Sequence, residues 1–229
     1  MTADAAMDDN GIAEIKKLWR LIATSSTSIL ALRAIWPGRS KPPVTTHFRA
    51  ATYPTIDARK EAFERSALHH NAQGYNCYVV MNPIRPDFRG RSATDDDIAY
   101  RDLVLIDIDR VTAAREPASD AEIEEARKLA DEVEVYLSTR WDGQPIRVMS
   151  GNGHHIYLPL SDVPNSDAAT RAIEQFLKTL AKKFNNAQVR IDTTVFNASR
   201  ITKVIGTVAR KGTEAPGRPY RMARLYEAA

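Results

Sequence analysis

Residues 101–109 read Arg-Asp-Leu-Val-Leu-Ile-Asp-Ile-Asp. The apolar run Leu103 to Ile106 leads directly into Asp107, and Asp109 follows two places later. A short apolar run of this kind reads as a strand buried on both faces. Side chains alternate along a strand, so Asp107 and Asp109 point to one side and Ile108 to the other. Two neighbouring carboxylates repel unless a positive charge sits between them or one stays protonated. A divalent ion such as Mg²⁺ or Mn²⁺ meets that need, since both favour carboxylate oxygens. The alternative is a pair of solvated acids where a strand runs into a loop.

The strand belongs to a chain of 229 residues, 43% hydrophobic and 27% charged, with a net charge of +3. These are globular values, with length enough for a sizeable core. No apolar run approaches the ~20 residues of a membrane span. The start of the chain is acidic and carries no apolar signal core, so a cytoplasmic location is expected. Cys77 is the single cysteine, which excludes an internal disulfide and a cysteine-based zinc site. Charge is unevenly spread. Residues 116–134 carry Glu116, Asp120, Glu122, Glu124, Glu125, Asp131, Glu132 and Glu134 against Arg127 and Lys128. Residues 200–229 carry Arg200, Lys203, Arg210, Lys211, Arg218, Arg221 and Arg224 against Glu214 and Glu227. The basic segment suits a polyanion, and the acidic helix suits a solvated face.

Outward from the central strand, Ser119 and Glu122 have capping-box spacing and open a helix to about Arg140. Strands follow at Pro145–Met149 and His155–Leu160, then a helix capped by Asn165 or Ser166 to about Phe184, then a strand at Val189–Asp192. With residues 101–109 this is the order βαββαβ of a ferredoxin-like or RNA-recognition-motif-like unit. Towards the N-terminus, residues 1–10 read as disordered and residues 12–36 as helix in two pieces, the second being Ile29–Trp36. Val44–Ala50 reads as a strand, Asp57 as the cap of a helix to about His70, and Tyr75–Met81 as another strand. Residues 83–99 form a long polar loop, and the tail beyond Arg200 is irregular, with a strand near Tyr220–Leu225. The expected class is α+β. Its organisation is an N-terminal helical segment and linker (1–43), an N-terminal α/β unit (44–100) and an RNA-recognition-motif-like unit with a basic tail (101–226).

Three further features bear on chemistry. Ser150-Gly151-Asn152-Gly153-His154-His155 is a glycine-bearing turn into a strand, able to bring amides close to an anion; it also reads as a plain hairpin turn. Asp192 closes an apolar strand and either joins Asp107 and Asp109 or simply opens a turn before Thr193-Thr194. Arg200, Lys203, Arg210 and Lys211 follow. Together these describe a site for a metal-bound triphosphate.

In this order the features resemble the archaeo-eukaryotic primase superfamily, in particular the primase–polymerase domains of plasmids, phages and mobile elements. The matching residues are Asp107-Ile-Asp109, Ser150-Gly-Asn-Gly-His-His155 with a lengthened spacing, Asp192 after Ile191, and Asn197 to Thr207 with Arg210-Lys211-Gly212. Tyr78–Pro83 and Asp95–Ile98 match as well, so the likeness spans about residues 44–226. The family histidine is His154 or His155; His155 is preferred because it precedes Ile156-Tyr157. The resemblance implies an N-terminal α/β unit packed on an RNA-recognition-motif-like unit, with the active site between them. It implies template-directed nucleotidyl transfer that makes or extends primers on single-stranded DNA from NTPs or dNTPs. Asp107, Asp109 and Asp192 would hold two Mg²⁺ or Mn²⁺ ions. Ser150, Gly151, Gly153, His155, Arg200 and Lys203 would contact the nucleotide, and Arg210, Lys211, Arg218 and Arg221 the template. The resemblance also allows a replicative helicase as partner, fused or separate; the zinc module that some family members carry near the site has no counterpart here, and no zinc is expected. Two other readings are a non-catalytic DNA-binding initiator module and a metal-dependent nuclease.

Overall fold

The computed structural model describes residues 3–226. The chain runs α1 (Ala3–Ile22), β1 (Leu30–Ile35), β2 (Val44–Phe48), α2 (Ile56–Ala72), β3 (Asn76–Val80), β4 (Tyr100–Arg110), α3 (Asp120–Leu137), β5 (Ile146–Met149), β6 (Gly153–Pro164), α4 (Asp167–Phe184), β7 (Val189–Ile191), β8 (Ile201–Lys203), β9 (Val208–Ala209), β10 (Arg221–Met222) and β11 (Arg224–Leu225). The apolar run at 103–106 lies in β4 and is buried throughout, as is Ile108. β4 sits inside an antiparallel sheet of order β11-β5-β6-β4-β7. β4, α3, β5, β6, α4 and β7 form the βαββαβ unit, with its first and third strands adjacent and its fourth at an edge. α3 packs on β4 and β6, and α4 on β7.

Both helices start where their sequences require. Ser119 accepts from the Glu122 amide while Glu122 reaches back to the Ser119 amide, which completes the capping box. Ser166 caps α4 through the Ala169 amide. α2 is capped by Thr55 rather than Asp57. Asp57 lies in the first turn, where a carboxylate favours the positive helix end, and it pairs with Lys60 at 2.7 Å.

A second antiparallel sheet has the order β2-β1-β3-β8, with α1 and α2 packed beside it. Residues 29–36, expected to be helical, instead supply β1 near the middle of this sheet. Leu30 and Leu32 are buried in the main core and Ala31 in a smaller cluster with Val80 and Ile84, so successive residues face opposite sides with a period of two rather than 3.6. Partners on both sides satisfy its amides. The interruption at Thr24–Ser28 is a real one: Arg59 of α2 donates to the carbonyls of Ser25, Ser26 and Ser28, anchoring the connection. The disorder expected over residues 1–10 is also replaced, because α1 begins at Ala3; residues 1 and 2 lie outside the described residues. The tail beyond Arg200 contains β8 to β11 and so returns to both sheets.

Asn82 joins the two halves. The ladder between β4 and β6 slips between Arg101 and Leu103, which leaves amides without strand partners. The Asn82 side-chain oxygen accepts from the Asp102 amide at 2.9 Å and the Leu103 amide at 3.0 Å, and its nitrogen donates to the Ala198 carbonyl at 3.0 Å. Thr24 also donates to the Asp102 carboxylate. Among the described residues no helix is long and apolar enough to cross a membrane.

Removing the Asn82 amide leaves three buried backbone groups unpaired. Asn82→Ala should lower stability by about 3 kcal/mol, read as a shifted urea midpoint with an unchanged slope.

Candidate active site

The β4–β6 register pairs Asp107 with His155, Ile108 with His154 and Asp109 with Gly153. Antiparallel partners share a face, so His155 stands beside Asp107, with Nε2 3.4 Å from Asp107 Oδ1. His154 faces the other way. It is buried near Arg127, Asp131 and Arg147, packs edge-on to Tyr226, and neither ring nitrogen has a hydrogen-bond partner. Burial, with the charges of Arg147 and His155, pushes it down to about 4. Of the two histidines, His155 is therefore the one beside the carboxylates.

Gly153 is where Asp109 needs space. A Cβ there would collide with the Ile108 carbonyl and the Asp109 carboxylate. Gly151 has φ +101° and would put a Cβ 2.5 Å from that of Ala209. The turn was expected to offer its amides to an anion. Two of them are already used: Ser150 N–H donates to the Gly153 carbonyl and Gly151 N–H to Met149 Sδ. Ser150, Gly151 and Gly153 are all buried. These glycines serve the protein's own close packing.

The carboxylates are crowded by protein but not sealed, with side-chain exposures of 23% for Asp107 and 37% for Asp109. Burial, and then the charge of Asp107, pushes Asp109 up to about 6, against the pull of Lys211. Burial also opposes ionisation of Asp107. There His155, by charge and hydrogen bond, together with Arg200 and Lys211, wins and holds the carboxyl below its ordinary range. Lys211 Nζ lies 3.9 Å from Asp109 Oδ2. Its place beside the carboxylates was not visible in the sequence, where it grouped with the distal bases.

Asp192 follows β7, and its amide donates to the Asp107 carbonyl at 2.8 Å. Register thus brings it beside Asp107, but its Oδ1 accepts from the Thr194 amide at 2.8 Å and the Thr194 hydroxyl at 2.7 Å. It is the turn-opening aspartate that its sequence context allowed. Among the described residues no three His, Cys, Asp or Glu side chains are gathered as a ready metal cage. The donor set nevertheless fits a divalent ion at Asp107 and Asp109: two oxygen ligands, like charges, and one carboxyl raised by the other. Both Thr194 bonds fall on Oδ1, so Asp192 could offer Oδ2 to join them.

The remaining bases divide into two groups. Arg200 is close enough to Asp107 to lower its pKa, and its Nε is buried without a partner. Lys203, expected at the nucleotide, is enclosed: Nζ donates to the Val208 carbonyl at 3.1 Å, and burial pushes its ammonium down to about 7. Arg210 donates from its backbone to Asn76 at 2.7 Å. Arg218 and Arg221, expected at template phosphates, are engaged inside the fold. Arg218 pairs with Glu122 at 2.5 Å and Glu116 at 3.3 Å, and Arg221 with Asp120 at 2.6 Å. They fasten the C-terminal ribbon, β9 and β10, to the start of α3.

No protein-family model matches the chain, and no curated protein matches it. Solved structures do. The primase–polymerase domain of cyanophage S-2L, titled an AEP domain, aligns at a TM-score of 0.54 and 16% identity over 95% of this chain and 90% of that one. Primase RepB′ aligns at 0.52 and 14% over 95% of this chain and 56% of that one. The polymerase domain of Mycobacterium tuberculosis Ligase D, solved in complex with DNA, aligns at 0.51 and 16% over 89% and 77%. The chain shares the fold of these primase and polymerase domains, an α+β architecture.

A carboxyl raised on folding makes the folded state bind its proton more tightly than the unfolded chain does. The Asp109 contribution is therefore harmless below pH 3.8; its cost grows as pH rises from 3.8 to about 6 and is complete above that. Asp109→Asn should flatten that fall in the metal-free protein. After discounting for solvent screening, it should gain about 1 kcal/mol near neutral pH, measured by thermal unfolding in chelator across this range.

Proposed function

We propose that the chain is a template-directed nucleotidyltransferase, a DNA primase–polymerase that makes or extends primers on single-stranded DNA. The observation that carries this reading is the pairing of Asp107 and Asp109 on one strand face with His155 and Lys211 beside them, in a chain with this fold. The setting, replication of a phage or mobile element, rests on the sequence resemblance.

In this reading Asp107 and Asp109 would hold divalent metal, with Oδ2 of Asp192 as a third ligand while Oδ1 keeps Thr194. Bound Mg²⁺ or Mn²⁺ would supply the positive charge that activates a primer 3′-hydroxyl and stabilises the leaving pyrophosphate. Lys211 offsets part of the negative charge at Asp109 and meets the triphosphate as it arrives. Arg200, near enough to Asp107 to lower its pKa, offers its guanidinium as a charge-assisted donor to a phosphate oxygen. His155 presents Nε2 at the edge of Asp107, within reach of the same phosphates. The half-covered cleft excludes part of the bulk water and strengthens each of these contacts. Arg210 is the distal base we retain for the template backbone; Arg218 and Arg221 act through the ribbon that carries Lys211.

Incorporation of labelled nucleotide on single-stranded DNA, with and without an annealed primer, tests the reading. Wild type should form product in Mg²⁺ or Mn²⁺, and Asp107→Ala/Asp109→Ala should lose it by at least about a thousandfold while unfolding normally. Product without primer marks a primase; product only with primer marks an extending polymerase. Binding of DNA by both proteins with no product from wild type would overturn the proposal in favour of a binding module. Release of nucleotides from DNA without added triphosphate would overturn it in favour of a nuclease.

A further inference from the structure

We infer that Thr202 and Tyr157 are positioning residues that hold the His155 imidazole with its proton on Nε2, directed at Asp107. The inference depends on the polymerase reading of the site only for its effect on rate.

His155 and Tyr157 lie two residues apart on β6 and so share a face, and their rings are 6.2 Å apart. Thr202 comes from β8, in the other sheet. The three side chains form a line. Tyr157 Oη is 2.9 Å from Thr202 Oγ1, Thr202 Oγ1 is 3.3 Å from His155 Nδ1, and His155 Nε2 is 3.4 Å from Asp107 Oδ1. Tyr157 has no exposed surface, Thr202 2% and His155 8%.

Counting donors and acceptors gives the line a direction. The Tyr157 hydroxyl has one hydrogen-bond partner among the described residues, Thr202 Oγ1. A fully buried phenol needs an acceptor for its proton, so Tyr157 donates and Thr202 accepts. The Thr202 proton then turns to its remaining neighbour, Nδ1. Nδ1 accepts, which leaves the imidazole proton on Nε2. The opposite tautomer would make Nδ1 a donor to Thr202, and either the threonine or the phenol proton would then be stranded in the core. The carboxylate oxygen opposite Nε2 is an acceptor, so both ends of the line agree.

The consequence is a ring fixed in rotation and tautomer by groups that touch neither nucleotide nor carboxylate. An Nε2–H can donate to Asp107 or to a phosphate oxygen. A ring free to turn would present a bare nitrogen to either. Because Thr202 belongs to the N-terminal sheet, the line also ties the two sheets together at this point. Such supporting partners change activity by about 10- to 100-fold in comparable sites.

The test combines nitrogen NMR of the full chain, labelled at histidine and with the His155 signal assigned by its loss in His155→Asn, with nucleotide incorporation kinetics. Wild type should show a protonated Nε2 and a bare Nδ1. Thr202→Val, which keeps the shape, and Tyr157→Phe, which keeps the ring, should both give mixed tautomers and lower kcat about tenfold, with a smaller change in nucleotide KM. Thr202→Ser should restore both signal and rate. A bare Nε2 in wild type, or an unchanged tautomer in Thr202→Val, overturns the inference. A wild type that incorporates no nucleotide overturns the polymerase reading instead, and the resting-state tautomer still decides the relay.

Discussion

Two like charges on one face of one strand repel, and the molecule is arranged around holding them together. Asp107 and Asp109 share a face because a strand repeats every two residues, and β4 is a strand because its apolar run can be buried on both sides. The same burial removes the water that would screen the pair. What remains comes from the protein, delivered from three directions: the His155 imidazole from the neighbouring strand β6, the charge of Arg200 from the approach to β8, and that of Lys211 from the C-terminal ribbon. Each arrives from a different part of the chain, so the pair is tolerated only in the completed fold.

That dependence explains features remote from the carboxylates. Lys211 can reach Asp109 only if its ribbon is held down. Arg218 and Arg221 do this through Glu116, Glu122 and Asp120 at the start of α3. Gly212, at φ +67°, lets the ribbon run against the Arg115 carbonyl. Glu122 completes a capping box, binds Arg110 of β4 at 2.6 Å and binds Arg218 at 2.5 Å. One carboxylate thus ties the end of the central strand, a helix start and the ribbon together. The acidic start of α3 is a fastening for the basic tail, as well as a solvated surface.

How much of this was legible follows from which interactions are local. The β4 run, the capping box at Ser119 and the period-two placement of Asp107 and Asp109 are properties of neighbouring residues, and all could be read directly. So could the βαββαβ order, since each element carries its own periodicity. Ile29–Trp36 could not: its alternation is short, and its identity as β1 is set by partners on two other strands. The glycines at 151 and 153 were visible, but their cause was not, because the atoms that exclude a Cβ are Ala209 and Ile108, distant in sequence. Basic residues were the hardest to place. Arg218, Lys211 and Lys203 look alike in a sequence, and only tertiary neighbours make one a tether, one a partner of Asp109 and one an enclosed ammonium.

The contrast between Glu122 and Asp109 carries the argument furthest. Both are acids with cationic neighbours on the same unit. Glu122 is opposed by burial but gripped by hydrogen bonds from Arg218 and Arg110 and from the Ser119 amide, which bring it down to about 2. Asp109 has burial and a like charge against it and one lysine at 3.9 Å in its favour, and it rises to about 6. A carboxylate that only holds structure can be fully satisfied by protein. One whose electrostatic demand is left unmet in a finished fold, beside a second carboxylate and the cationic groups of Arg200 and Lys211, suits a cation and an anion together. A metal-bound triphosphate supplies both at once, which is why the proposed reading follows from the imbalance of this site more than from any single motif.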